Sequence, residues 1–193
     1  MINPFKAKFG LVENVEYELR DSEGKSKQLF QPNRLYSWLM KVGLVSPNST
    51  SPLFGHFSDK LVISNLITTL GVAGIAARIN GSGSPAAYVY VALGLGTAVA
   101  ADADTQLESE ITTSGGARAS ASVSVVTTDT AGDTAQLQNT FNFTTGGTFA
   151  ICESGVLNAA SDGTLLAHQV FSAINVASGD SLQVTWKFDV DTA

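Results

Sequence analysis

Hydrophobic and polar residues alternate with a period of two at the start of the chain and through most of its second half, with helical spacing between. From Phe9 to Leu19, Phe9, Leu11, Val15, Tyr17 and Leu19 are apolar while Asn14, Glu16 and Glu18 are polar, with Glu13 the exception. This predicts a half-buried strand. Asp21–Gly24 supplies turn residues, and Lys25–Phe30 reads as the returning strand of an N-terminal hairpin. Gln31-Pro32-Asn33 breaks the alternation, and Asn33 is placed to cap a helix whose Leu35, Trp38, Leu39 and Val42 form an apolar face before Gly43. The expectation is a short amphipathic helix over 33–41, laid on the hairpin. Val45–Pro52 reads as an irregular surface loop and Lys60–Ser64 as a short strand. A second helix, capped by Ser64 or Asn65, is predicted to run to about Ile79 on Leu66, Ile67, Leu70, Ala73, Ala77 and Ile79. Gly71 and Gly74 each cost it about 1 kcal/mol relative to Ala, so close packing on a neighbour must hold it. Asn80–Pro85 ends it.

The stretch Ala87–Ile111 joins this half to the next. Tyr88–Leu93 is an unbroken apolar run, read as a strand buried on both faces, with Gly94 and Gly96 freeing the chain to turn. Asp104 or Thr105 followed by Glu108 predicts a short polar helix after the loop. Strands follow over Arg118–Val125, Ala135–Phe143, Thr148–Leu157, Thr164–Phe171 and Ser181–Val190, with turns at Thr130–Asp133 and Asp162-Gly163. The last puts Leu182, Val184, Trp186, Phe188 and Val190 on one face against Ser181, Gln183, Thr185, Lys187 and Asp189. Consecutive strands without intervening helices predict a mainly β fold: an antiparallel β-sandwich, jelly-roll or Ig-like, with two short helices and an N-terminal hairpin. The expected division is 1–45 as hairpin and helix, a candidate docking segment; 46–59 as loop; and 60–193 as a sandwich domain with one packed helix.

Charged residues make up 15% of the 193, and their distribution changes the picture. Residues 1–80 carry nine Lys or Arg against six Asp or Glu, net +3, and residues 81–193 carry two against eleven, net −9. So acidic a C-terminal part repels phosphate backbones, and nucleic acid is not an expected partner. Strand faces rich in Ser, Thr, Gln and Asn, without guarding charge, suit packing in an assembly. The single cysteine, Cys152, permits no internal disulfide. MINPFKAKFG lacks the apolar core of a signal peptide, and the apolar runs are too interrupted to be membrane spans, which predicts cytoplasmic synthesis and no membrane partner.

Candidate chemistry is sparse. His56 and His168 lack partners at metal-ligand spacing, and His168, alternating with Leu166 and Val170, reads as a structural histidine. Asp102 and Asp104 form a D-x-D pair without the glycine and closing glutamate of a calcium loop, so a helix-capping aspartate is the competing reading. Cys152 beside Glu153 in an apolar strand reads as a buried, inert thiol. Ser154 is not in a nucleophile elbow, and Glu108 with Glu110 and Asp189 with Asp191 are carboxylates on solvent-facing positions. The glycines from Asn80 lack the lysine of a phosphate loop. No catalytic, cofactor or metal site is expected, and the chain is expected not to be an enzyme.

Gly94, Gly96, Thr97, Asp104, Thr105, Leu107, Glu108, Glu110 and Arg118, followed by Phe149–Leu157, Gly163–Ala167 and Gly179–Leu182, form a pattern that resembles virion structural proteins of tailed bacteriophages. With the helix expected before it, the similarity covers roughly residues 60–190. It consists of turn and strand patterns and not of catalytic signatures, and Ala98–Ala103 lacks the prolines expected in that loop. The resemblance implies a structural protein acting in many copies on the virion, most simply a capsid decoration or cement protein. Its implied partners are itself as a homo-oligomer, a trimer among the options, and the major capsid protein or other virion proteins. The alternative is a tail, neck or fibre component that binds a host glycan through loops such as Asn158–Gly163. A hydrolase acting through Asp102 or Asp104 is the third reading.

Overall fold

The computed structural model describes residues 9–46, 50–64, 66–83, 86–144 and 148–192. The first part of the chain supplies β1 (Phe9–Arg20), β2 (Ser26–Lys27), β3 (Leu29–Pro32), α1 (Arg34–Lys41), β4 (Gly55–Ser58), β5 (Leu61–Ser64), β6 (Leu66–Ile67) and α2 (Thr69–Asn80). The second supplies β7 (Tyr90–Gly94), β8 (Ala119–Ser120), β9 (Ser122–Val126), β10 (Thr134–Asn142), β11 (Phe149–Leu157), β12 (Leu165–Val176) and β13 (Ser181–Thr192). The fold is mainly β and antiparallel, as the alternation predicts. One sheet runs β2-β1-β13-β10-β9, with β5 also paired to β1, and the other runs β6-β12-β11-β7-β8. Their facing sides share one core, to which Tyr17, Leu137, Phe141, Val184 and Trp186 come from the first sheet and Val91, Ile151, Val156, Phe171 and Ile174 from the second. Trp186 has no exposed surface and stacks on Phe188 at 5.9 Å, so the face assigned to the last strand holds as far as Phe188, while Val190 is 45% exposed.

β1 is paired to β13 from Phe9↔Thr192 to Arg20↔Ser181. Phe9–Arg20 therefore belongs to the same sheet as the last strand, across the boundary expected at residue 45. The return strand expected over Lys25–Phe30 splits, because only Ser26 and Lys27 pair with β1 before Leu29–Pro32 leaves to pair with β4. Asn33 caps α1 as predicted, its Oδ1 accepting from the Tyr36 amide at 2.9 Å. The expected apolar face is not the buried one. Tyr36 is fully buried, its hydroxyl donating to the Ser46 carbonyl at 2.7 Å and its ring edge-on to Phe30, which turns Leu35, Trp38 and Val42 outward. Residues 47–49 of the expected Val45–Pro52 loop, and Asn65, lie outside the described residues.

α2 starts later than predicted because Leu66 and Ile67 pair with His168 and Ala167 of β12. Thr68 is the cap: its hydroxyl accepts from the Gly71 amide and donates to the Leu165 carbonyl at 2.6 Å. The close packing inferred from the two glycines is present, since a Cβ on Gly71 would strike the Leu166 carbonyl and one on Gly74 the Tyr88 hydroxyl. The strand expected over Arg118–Val125 changes sheets at Ala121: Ala119 and Ser120 pair with β7, and Ser122–Val126 pairs with β10.

Candidate functional site

The joining stretch builds the densest polar cluster. β7 lies between β11 and β8, and its Val91, Ala92 and Leu93 are fully buried. Beyond Gly94 the chain folds back along the strand it has left: Leu95 N–H donates to the Ser109 carbonyl, and Ile111 N–H to that of Leu93. Leu107 anchors the return, packing with Ala92, Leu157 and Leu165 on the side of the sheet away from the main core. Gly94 and Gly96 serve close approach, not a left-handed turn. Neither has positive φ, and a Cβ on either would run into the Glu153 carboxylate.

That carboxylate is the centre. Glu153 is fully buried in β11; Oε1 accepts from the amides of Gly96 at 2.9 Å and Ser109 at 2.7 Å, and Oε2 from Glu108 at 2.9 Å. The short helix expected after Asp104 does not form, because the amides of Glu108 and Ser109 go to Glu153 instead of to carbonyls one turn back. Oε2 also lies 3.0 Å from His168 Nε2, and His168 Nδ1 lies 2.8 Å from Asp104 Oδ2. Burial alone would raise the Glu153 carboxyl, but His168 and the three amides outweigh it and hold the group below the usual carboxylate range. For His168, 3% exposed, burial favours the neutral ring, while the hydrogen bonds to Glu153 and Asp104 prevail and raise its pKa. The result is a carboxylate–imidazole–carboxylate bridge joining β11, β12 and the loop. With both ring nitrogens engaged and four donors on Glu153, the group holds a proton in place; no nitrogen is left to take one from a substrate.

Two further carboxylates frame the loop. Glu108 Oε2 accepts from the amides of Thr97 at 2.7 Å and Ala98 at 2.8 Å. Glu110 receives Arg118 through two bonds, Nε–Oε1 at 2.8 Å and Nη2–Oε2 at 2.6 Å, and Arg118 Nη1 donates to the carbonyls of Ala159 and Asp162. The guanidinium thus ties the loop to the Asp162-Gly163 turn, where Asp162 has φ 51°.

The remaining candidates do not converge on this cluster. His56 is exposed on β4 opposite Gln31, and Asp102 contributes its carbonyl, which accepts from the Thr69 amide at the start of α2. Cys152 is buried, and burial together with the adjacent Glu153 pushes its thiol up to about 11. The Ser154 hydroxyl faces the core and lies 2.5 Å from that of Tyr17, a polar link between the sheets. Asp189, assigned to a solvent-facing position, is only 7% exposed and accepts from the Thr134 hydroxyl at 3.3 Å. Sequence reasoning missed Glu153; its signal was a lone charge inside the apolar run Phe149–Leu157. Among the described residues no group of three His, Cys, Asp or Glu is arranged to hold a metal ion, and no helix is long and apolar enough to cross a membrane. Comparison with protein-family models, with curated proteins and with solved structures found no match.

Proposed function

We propose that the chain is a structural protein of a tailed-phage virion, acting in many copies, with capsid-surface decoration as its place. The observation that carries this reading is the use the fold makes of the residues behind the resemblance. Gly94 and Gly96 make room for Glu153, Thr97 and Glu108 bond to each other, Glu110 holds Arg118, and Asp104 holds His168. The Gly96–Glu153 and Asp104–His168 contacts tie the loop to β11 and β12, and the Thr97–Glu108 and Glu110–Arg118 bonds hold the loop to itself and to the segment before β8, so these residues serve as a joint. A joint of ionic and charge-assisted hydrogen bonds suits a part that must keep one shape in a large assembly. Phage particles banded on a density gradient and then separated into heads and tails provide the test. The chain is expected with the heads, in a copy number comparable to that of the shell protein. Recovery with tails alone would transfer it to the tail or fibre, and absence from the particles would overturn the virion reading.

A further inference from the structure

Between Gly96 and Leu107 the chain leaves the sheets, and no residue from Thr97 to Gln106 is buried. Among the described residues, two hydrogen bonds tie this segment to the molecule beyond its own loop. The Asp102 carbonyl accepts from the Thr69 amide at 2.6 Å, and Asp104 Oδ2 meets His168 Nδ1 at 2.8 Å. The other bonds stay within the loop, from the amides of Thr97 and Ala98 to Glu108 and from that of Ala101 to Asp104. A stretch with so little buried surface opens at low cost, so its position rests on those two ties. Thr97–Ala100 also line a cavity of about 760 Å³ together with Met40, Leu44, Val170 and Phe171.

The side-chain tie depends on how many protons His168 carries. An ionised carboxylate only accepts, and each ring nitrogen faces one, Nδ1 that of Asp104 and Nε2 that of Glu153. A ring with both protons donates to both; a ring with one turns a lone pair toward a carboxylate oxygen. The two carboxylates compete unequally for the remaining proton. Glu153 is fully buried, and without the ring part of a buried charge would lose its partner. The Asp104 side chain is 28% exposed and can exchange the ring for water. The neutral ring therefore keeps its proton on Nε2 and lets Asp104 go. Asp104 and Glu153 are the charged groups that act on the ring. From the other sides, β6 brings Leu66 and Ile67, and α2 carries its charge, Arg78, in the last turn. Asp102 and Glu108 on the loop are exposed, Glu108 being turned to the amides of Thr97 and Ala98, and the Cys152 thiol beside Glu153 is pushed up to about 11.

We propose that His168 is a pH-operated latch: with both ring nitrogens protonated it holds Asp104 and the Thr97–Gln106 segment against β12, and on losing the Nδ1 proton to water it frees that segment while both sheets stay folded. One tie then remains, a backbone bond at Asp102 that is weak against the conformational freedom the segment regains. The hydrogen bonds to Glu153 and Asp104 raise the ring above its ordinary value of about 6.5, so the segment is held at that pH and released as pH rises through the folded value. Release reshapes the wall of the cavity that Thr97–Ala100 line and frees the first amide of α2. The latch rests on the His168 contacts and holds whether or not the virion reading does.

NMR on the full-length chain tests this as pH is raised from slightly acid to alkaline. The ring signals of His168 report its protonation, and the backbone motion of Thr97–Gln106 reports the latch. Hydrogen exchange of the Thr69 amide, corrected for its ordinary rise with pH, is a second readout. The segment should gain motion and Thr69 should lose protection with the midpoint of the ring, that midpoint lying above the ordinary value for histidine. Amides of β10 and β13 should keep their protection throughout. Asp104→Asn isolates the latch, because a side-chain amide can accept from a protonated Nδ1 or donate to a bare one; its segment should stay ordered across the range. Asp104→Ala should leave the segment mobile at every pH. A segment that stays still through the midpoint of the ring, sheet amides that lose protection in step with it, a ring that does not titrate before the chain unfolds, or an Asp104→Asn segment that is still released would each overturn the proposal.

Discussion

Nε2 of His168 lies 3.0 Å from Oε2 of Glu153, with the histidine 3% exposed and the glutamate not at all. The pair is buried, and the other ring nitrogen of His168 meets Asp104, whose side chain is partly exposed. Its two halves respond to pH in opposite directions. The His168 pKa is raised, so its contribution is complete below about 6.5 and is lost as pH rises through the folded value. The Glu153 pKa is lowered, so its contribution is complete above about 4.3 and is lost as pH falls through the folded value. The urea midpoint of the native chain should therefore exceed that of His168→Gln most between about pH 4.3 and 6.5, the gap narrowing on the alkaline side. A gap that stayed constant into the alkaline range would show that the ring is not held protonated.

Arg118→Lys keeps the charge and loses the fork. The ammonium cannot reproduce two bonds to Glu110 together with those to the carbonyls of Ala159 and Asp162. The expected cost is about 1.5–3 kcal/mol in a denaturant titration. A loss near zero would mean that the loop is held by Glu153 alone.

Gly71→Ala sets two effects of opposite sign against each other. Helix propensity favours alanine by about 1 kcal/mol. The added methyl would meet the Leu166 carbonyl, a backbone atom that cannot swing aside, and overpacking of this kind typically costs about 1–3 kcal/mol. The melting temperature should fall; a rise would mean that α2 stands farther from β12 than described.

Trp186→Ala should cost about 3–5 kcal/mol, as expected for a large aromatic at the centre of the core. Trp186→Phe should cost well under that, because the indole N–H is buried without an acceptor and its removal relieves a desolvated donor. Equal losses for the two variants would show that the N–H is satisfied.

Deleting residues 1–45 should leave no cooperative thermal transition, because it strips β13 of a partner along twelve residues and removes Tyr17 from the core. A retained sigmoidal melt by circular dichroism would restore the sequence-based division at residue 45.

What could be read from the chain was what depends on neighbours in sequence. Asn33 caps α1 through a bond to its own next turn, and the faces of β10 and β13 follow from alternation in which one side is apolar. Elements whose fate lies with distant partners were misread. The amides of Glu108 and Ser109 carry a helix signal, but a buried carboxylate some 45 residues later in sequence takes them. Val123 and Val125 have the alternation of core residues, and their exposure is set by the brevity of β8, a property of the opposite sheet. The splitting of Arg118–Val125 at Ala121 leaves no mark on the alternation, since an outward residue of one sheet and an inward residue of the other follow the same rhythm.

The pairing of β1 with β13 carries a consequence for synthesis. β1 leaves the ribosome before β13 and can join β2 and β5, which follow it more closely in the chain. Its other edge waits for Ser181–Thr192, a delay on the order of ten to thirty seconds at about 5–20 residues per second. Throughout that interval an unpaired edge is presented to any other copy of the strand nearby. The step that completes the sheet is thus also the step at which a neighbouring copy can intrude, and the rate of translation becomes one determinant of how much chain reaches its folded form.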